Sequence, residues 1–136
     1  AIVYDKHGQA FPLASLCAGN AALIAFLQPG GEPTEHFLNE LYDAYERLSA
    51  VCRVVIVLPS SGSSSPAYAR FADKYGRIDT YIDADEVQEP LARAAFKEPG
   101  DYPLLLLTGE YPDCRFASAG YSVGSVELII KLAALI

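Results

Sequence analysis

The sequence predicts a three-layer α/β/α domain on a mixed central sheet with an N-terminal hairpin, and three observations carry that prediction. Two apolar runs of strand length, Ala21 to Leu27 and Val54 to Leu58, leave no polar residue to face water, as in strands covered on both faces. Between them Phe37, Leu38, Leu41, Tyr45 and Leu48 recur at helical spacing. A third apolar run, Leu104 to Leu107, is followed by turn residues and a further strand-like segment, which adds an antiparallel edge to parallel neighbours.

The elements follow in order. Ile2 to Tyr4 and Gln9 to Leu13 form a hairpin around Asp5-Lys6-His7-Gly8, with Gly8 supplying the positive φ of a tight turn. The central strand Ala21 to Leu27 is stopped by Gln28-Pro29-Gly30-Gly31-Glu32-Pro33. Thr34 then caps a helix, and Glu35 in its first turn suits the helix dipole. Val54 to Leu58 is a second buried strand ended by Pro59. Ser60 to Ser65 reads as a loop, after which Ser65 and Pro66 open a helix through Tyr68, Phe71, Ala72 and Tyr75 that stops at Gly76. Ile78 to Ile82 is a third strand, Pro90 to Phe96 a short helix, and Pro103 to Thr108 a fourth strand. Gly109 to Asp113 turns the chain so that Cys114 to Ala119 returns antiparallel. The last helix, Ser125 to Ile136, buries Val126, Ile129, Ile130 and Ala133.

Length and composition bound the function. The 136 residues suit one domain spanning 1–136, and 51% hydrophobic against 20% charged residues, with mean hydropathy +0.18, calls for a packed core rather than disorder. A net charge of −7 repels a phosphate backbone, so nucleic acid is not an expected partner. No run approaches the ~18 apolar residues of a membrane span; Val126 to Ile136 is broken by Glu127 and Lys131. The chain begins at Ala1 without signal-peptide features, and reads as a mature chain or an excised domain.

Cys17, Cys52 and Cys114 are widely spaced and odd in number, which fits neither a disulfide framework nor a zinc ribbon. Cys52 before a buried strand, and Cys114 on a face with Phe116, read as apolar filling, while Cys17 in a Gly-containing loop reads as the exposed thiol. Cys17 and Cys114 are the candidate reactive thiols. His7 and His36 are potential bases or ligands, and Glu32 shares a helical face with His36 only if the helix starts early, but two histidines without a ligand quartet predict no metal. Asp79, Asp83, Asp85, Glu86 and Glu89 lack the pattern of a calcium loop and read as a solvated face. No Gly-Lys-Ser/Thr follows the serine loop, so nucleotide binding is not indicated and no cofactor is expected. Tyr42, Tyr45, Tyr68 and Tyr75 read as core-edge residues whose hydroxyls reach water.

Several phrases, in this order along nearly the whole chain, resemble the thioredoxin-like redoxins of the TlpA and AhpC/TSA types: Asp5-Lys6-His7-Gly8-Gln9-Ala10-Phe11-Pro12-Leu13-Ala14-Ser15-Leu16, Leu38-Asn39-Glu40-Leu41-Tyr42, Phe71-Ala72-Asp73-Lys74-Tyr75-Gly76, and Tyr102-Pro103-Leu104-Leu105-Leu106-Leu107. The resemblance implies a thioredoxin-like fold, a cis peptide at Tyr102-Pro103, and a parent protein outside the cytoplasm or tethered to a membrane, with the cytoplasm as the other possibility. It also implies a nucleophilic cysteine between the first core strand and the first helix, where a helix N-terminus lowers a thiol's pKa. There the sequence departs, because no cysteine lies from Ala18 to Val51, and neither Thr34 nor Glu32 can do thiol chemistry. The expectation is therefore a catalytically silent domain for binding or scaffolding. Its groove for a peptide or protein is formed by Gln28, Pro29, Gly30, Gly31, Glu32, Thr34, Tyr102 and Pro103. The alternative is a redox enzyme, thiol-disulfide or peroxidase-like, using Cys17 or Cys114.

Overall fold

In the computed structural model, which describes residues 2–5, 7–28, 31–59, 70, 73–76, 78–83, 93 and 102–136, the chain runs β1 (Ile2–Tyr4), β2 (Ala10–Pro12), α1 (Leu13–Leu16), β3 (Ala22–Phe26), α2 (Glu32–Ser49), β4 (Arg53–Pro59), β5 (Thr80–Asp83), β6 (Leu104–Thr108), β7 (Cys114–Ala119) and α3 (Ser125–Ala134). The described strands form one sheet in the order β2-β1-β5-β4-β3-β6-β7. β3, β4 and β5 are parallel neighbours, and the flanking pairs β1–β5, β3–β6 and β6–β7 are antiparallel. The mixed sheet with an antiparallel margin is thus the one the apolar runs predict.

Every side chain of β3 and β6 is buried, which explains their unbroken hydrophobicity. One face of the sheet, through Leu23, Ala25, Leu27, Val54, Ile56, Leu58, Leu105 and Leu107, packs on α2 and α3. The other, through Ala22, Ile24, Phe26, Val55, Val57, Leu104 and Leu106, packs on Val3 and on Leu13 and Leu16 of α1. α2 commits Phe37, Leu38, Leu41 and Leu48 to the first core at full burial, each stabilising by about 1.5–3 kcal/mol relative to exposure.

Three boundaries differ from the sequence reading for identifiable reasons. The second hairpin strand stops at Pro12, which has no N–H to donate to the ladder, and Leu13–Leu16 turns into a helix that Ser15 secures by donating to the Pro12 carbonyl at 2.7 Å. α2 starts at Glu32 with Gly31, not Thr34, as N-cap: Pro33 falls in the first turn, where a missing N–H costs no hydrogen bond, so it prolongs the helix instead of preceding it. The third strand is shifted to Thr80–Asp83. Gly8 adopts φ +78° in the β1–β2 turn as expected. Tyr75 is a core residue, 2% exposed, with its hydroxyl donating to Asn39 Oδ1 at 3.3 Å, whereas Tyr42 is exposed and Tyr45 half-buried. The serine loop, Tyr68, Phe71, Ala72, most of the 90–96 helix, and Asp85, Glu86 and Glu89 lie outside the described residues.

Candidate functional site

The register of the sheet brings two distant segments together. Phe26 at the end of β3 pairs with Leu104 at the start of β6, so the chain leaving β3 for α2 and the chain entering β6 emerge side by side. The peptide Tyr102–Pro103 is cis, as is Tyr111–Pro112. At the far end of β7, Ala119 also pairs with Leu104, and the Gly120 N–H donates to the Pro103 carbonyl at 2.9 Å, which carries Gly120 and Tyr121 to the same rim.

These segments and the first turn of α2 enclose a cleft of about 320 Å³ lined by Glu32, Pro33, His36, Tyr102, Gly120 and Tyr121. Its helical wall exists because α2 begins early. Glu32, His36 and Glu40 are spaced by four residues and share a face. The His36 ring stacks on Tyr121 at 5.7 Å between centroids and 26° between planes. One turn on, the Glu40 carboxylate accepts the Tyr121 hydroxyl and, at 3.3 Å, the Gly124 N–H. This double acceptance fastens the β7–α3 connection to α2, and the carboxylate holds the Tyr121 hydroxyl above its ordinary pKa by favouring the protonated donor.

The described charges at the rim are mostly acidic. Glu35 lies 3.7 Å from Lys74, Glu40 is engaged as described, and Glu32 makes no ion pair or hydrogen bond among the described residues. No side chain caps the first turn, so the Glu32 and Thr34 N–H groups receive no capping oxygen.

Of the residues predicted to form the groove, Glu32 and Tyr102 line the cleft, Gly31 is the helix N-cap with φ −85°, and Gln28 is exposed. Pro103 is buried at the entrance of β6. Thr34 is a correction: only 2% exposed, it faces the core in the stripe of Phe37, Leu38 and Leu41 rather than the groove. Pro29 and Gly30 lie outside the described residues. The sequence reading assigned His36 to no groove and missed Gly120 and Tyr121. The spacing of Glu32 and His36 was a usable signal, whereas Tyr121 meets Glu40 across 81 residues, which no local pattern reveals.

Two of the three cysteines reverse their expected exposure, and Cys52 is buried as expected. Cys17 is fully buried, because its N–H closes α1 by donating to Leu13 at 3.2 Å and its side chain joins the core on the sheet face opposite α2. Cys114 is exposed, because a register shift between Leu107 and Thr108 pairs Thr108 with Cys114 and turns it off the face that Phe116 occupies. It sits at the end of β7 remote from the cleft, about five residue steps or ~17 Å from Ala119. Cys52 is buried beside Arg53, which pairs with the start of β3 at the end away from the cleft, and burial pushes its thiol up to about 11. All three are free thiols. His7 is exposed in the hairpin turn, and no group of three His, Cys, Asp or Glu among the described residues could hold a metal ion. Asp79 lies 3.4 Å from Arg53. Among the described residues no helix is long and apolar enough to cross a membrane.

A mixed sheet whose central strand leads into a long helix, with a cis-proline strand entry beside that helix's N-terminus, is a thioredoxin-like fold. Neither a family model nor a curated protein sequence matches the chain. Solved structures do. A thiol:disulfide interchange protein of the thioredoxin family from Chlorobium tepidum TLS superposes with a TM-score of 0.75 at 14% identity, over 98% of this chain and 92% of that one. Peroxiredoxin Q of Xanthomonas campestris gives 0.69 at 17% identity, over 99% and 90%. The exposed lipoprotein thioredoxin of Streptococcus pneumoniae strain TIGR4 gives 0.59 at 14%, over 96% and 97%. At such identities the likeness is one of fold.

Proposed function

We propose that this chain is a thioredoxin-fold binding or scaffolding domain that receives an extended protein segment in the cleft between α2 and the Tyr102–Pro103 entry, and that it does no thiol chemistry. One observation supports this most directly. The first turn of α2, the kind of place at which a helix end can activate a thiol, is Gly31-Glu32-Pro33-Thr34 and holds no cysteine, and the cysteines stand behind the sheet or at its far end. An open cleft beside strand ends, with an uncapped helix N-terminus, suits backbone recognition, which needs no sulfur. The likeness to an exposed lipoprotein thioredoxin supports a site of action outside the cytoplasm, on its own or as a module of a larger tethered protein.

The test has two arms. The protein should neither accelerate insulin disulfide reduction by dithiothreitol nor consume peroxide; turnover that disappears in Cys114→Ser or Cys17→Ser would replace this reading with displaced-cysteine chemistry. Gly31→Phe should block partner capture at unchanged thermal stability, since φ −85° admits a side chain and the nearest atoms of the described residues to an added Cβ are 4.0 Å away. Equal capture by two equally stable proteins would rule out the cleft.

A further inference from the structure

Among the described residues, the cleft lining contains one carboxylate, Glu32, and neither lysine nor arginine. The neighbouring described acids are already engaged, Glu35 by Lys74 and Glu40 by Tyr121 and Gly124, so among the described residues Glu32 is the rim carboxylate left to meet a ligand. The α2 dipole opposes this with about +0.5 charge at the helix end, less than the full negative charge of Glu32 alone. The chain's −7 adds a long-range field of the same sign. Beside Glu32 stands the stacked pair His36–Tyr121, an aromatic wall that is held in place by Glu40. A volume of about 320 Å³ is at the small end of ligand pockets, enough for one long side chain and too little for a large cofactor.

From this we infer that the segment bound in the cleft is basic: an extended peptide that sets an arginine against Glu32, its guanidinium paired with the carboxylate and its stem along the His36–Tyr121 wall. This rests on the cleft being the binding site proposed above. Arginine fits better than lysine because its planar fork can donate two parallel hydrogen bonds to one carboxylate and stack on aromatic surface. Flanking backbone carbonyls of the peptide can accept from the uncapped first-turn N–H groups.

The experiment is calorimetric titration of acetyl-Ala-Ser-Arg-Ser-Ala-amide and of the same peptide with citrulline, which keeps the shape of arginine and removes its charge. Wild type, Glu32→Gln and Gly31→Phe are compared, with thermal melts showing that all three are folded. The arginine peptide should bind wild type about tenfold more tightly than the citrulline peptide at low salt. The preference should shrink toward unity in Glu32→Gln, and added salt should weaken only the arginine peptide. A wild-type ratio near one, or a preference that survives Glu32→Gln, overturns the basic-segment inference, while binding of both peptides that Gly31→Phe abolishes leaves the cleft itself standing. Binding of neither peptide to wild type overturns the inference and the cleft together.

Discussion

Alkylation of the native protein by iodoacetamide at pH 8 should modify one cysteine rapidly, Cys114, and leave the other two for the unfolded chain. Cys114 is exposed on the edge strand β7, whereas Cys17 is fully buried and Cys52 only 6% exposed. For Cys52 a second factor multiplies the first. Burial raises its pKa from 9.0 to about 11, against a smaller lowering from the backbone of Leu23, so at pH 8 its thiolate fraction falls from ~10% to ~0.1%. A hundredfold deficit in the reacting species is then compounded by the need for the core to open. Intact-mass spectrometry should show a single adduct at early times, peptide mapping should place it at Cys114, and two further adducts should follow in guanidinium chloride. A second adduct forming within tenfold of the first, at Cys17 or Cys52, would refute the reasoning. It would mean that a buried thiol is reachable in the native state and would reopen displaced-cysteine chemistry.

Further outcomes can be checked on the same protein. The raised Cys52 pKa contributes stability that is complete below pH 9 and lost as pH rises through about 11; Cys52→Ala should remove about 2 kcal/mol of that alkaline loss, read from urea midpoints across pH 8.5–11. Leu105→Ala, at a fully buried site paired to β3 and β7, should cost about 2–5 kcal/mol in urea unfolding with an unchanged m-value. Arg47 pairs with Glu127 across the exposed α2–α3 seam and depresses its carboxyl pKa, so this contribution is present above the ordinary carboxylate range and lost on acidification; Glu127→Gln should lower the melting temperature slightly, and the difference should vanish in molar salt. Gly31→Cys combined with Thr34→Cys, which installs a CxxC spacing at the start of α2, should yield a first thiol that titrates above, not below, that of an unstructured cysteine peptide.

Much of the sheet was legible in the sequence because burial on both faces leaves an unmistakable mark. Ala22–Phe26, Arg53–Pro59 and Leu104–Thr108 have almost no choice but to be interior strands, and α2 announces itself through Phe37, Leu38, Leu41 and Leu48. The cleft was half legible. Glu32 and Tyr102 follow from the fold, but Tyr121 and Gly120 arrive by strand register, and register is a tertiary property. Cys17 and Cys114 were misread, unlike Cys52, because exposure was inferred from the kind of segment: a four-residue helix hidden in Leu13–Leu16 buries Cys17, and one irregular pairing at Thr108 exposes Cys114. Both events turn on single residues, Pro12 and the shifted partner of Thr108, which leave hydrophobic periodicity unaltered.

The acidic first turn bears on whether this chain is a thiol enzyme that has merely lost its sulfur. A helix end lowers a thiol's pKa because about half a positive charge stands close to the sulfur. In α2 that half charge is met by two carboxylates in the same turn, Glu32 and Glu35, of which, among the described residues, only Glu35 has a cation beside it, Lys74 at 3.7 Å. The balance among the described residues at the N-cap is therefore negative, and a thiolate placed there would be disfavoured by Glu32, which has no described cation beside it to offset it. The same balance favours an incoming cation. The loop differs from a dithiol site in the carboxylates it carries as well as in its nucleophile, and the proposed binding role draws support from both.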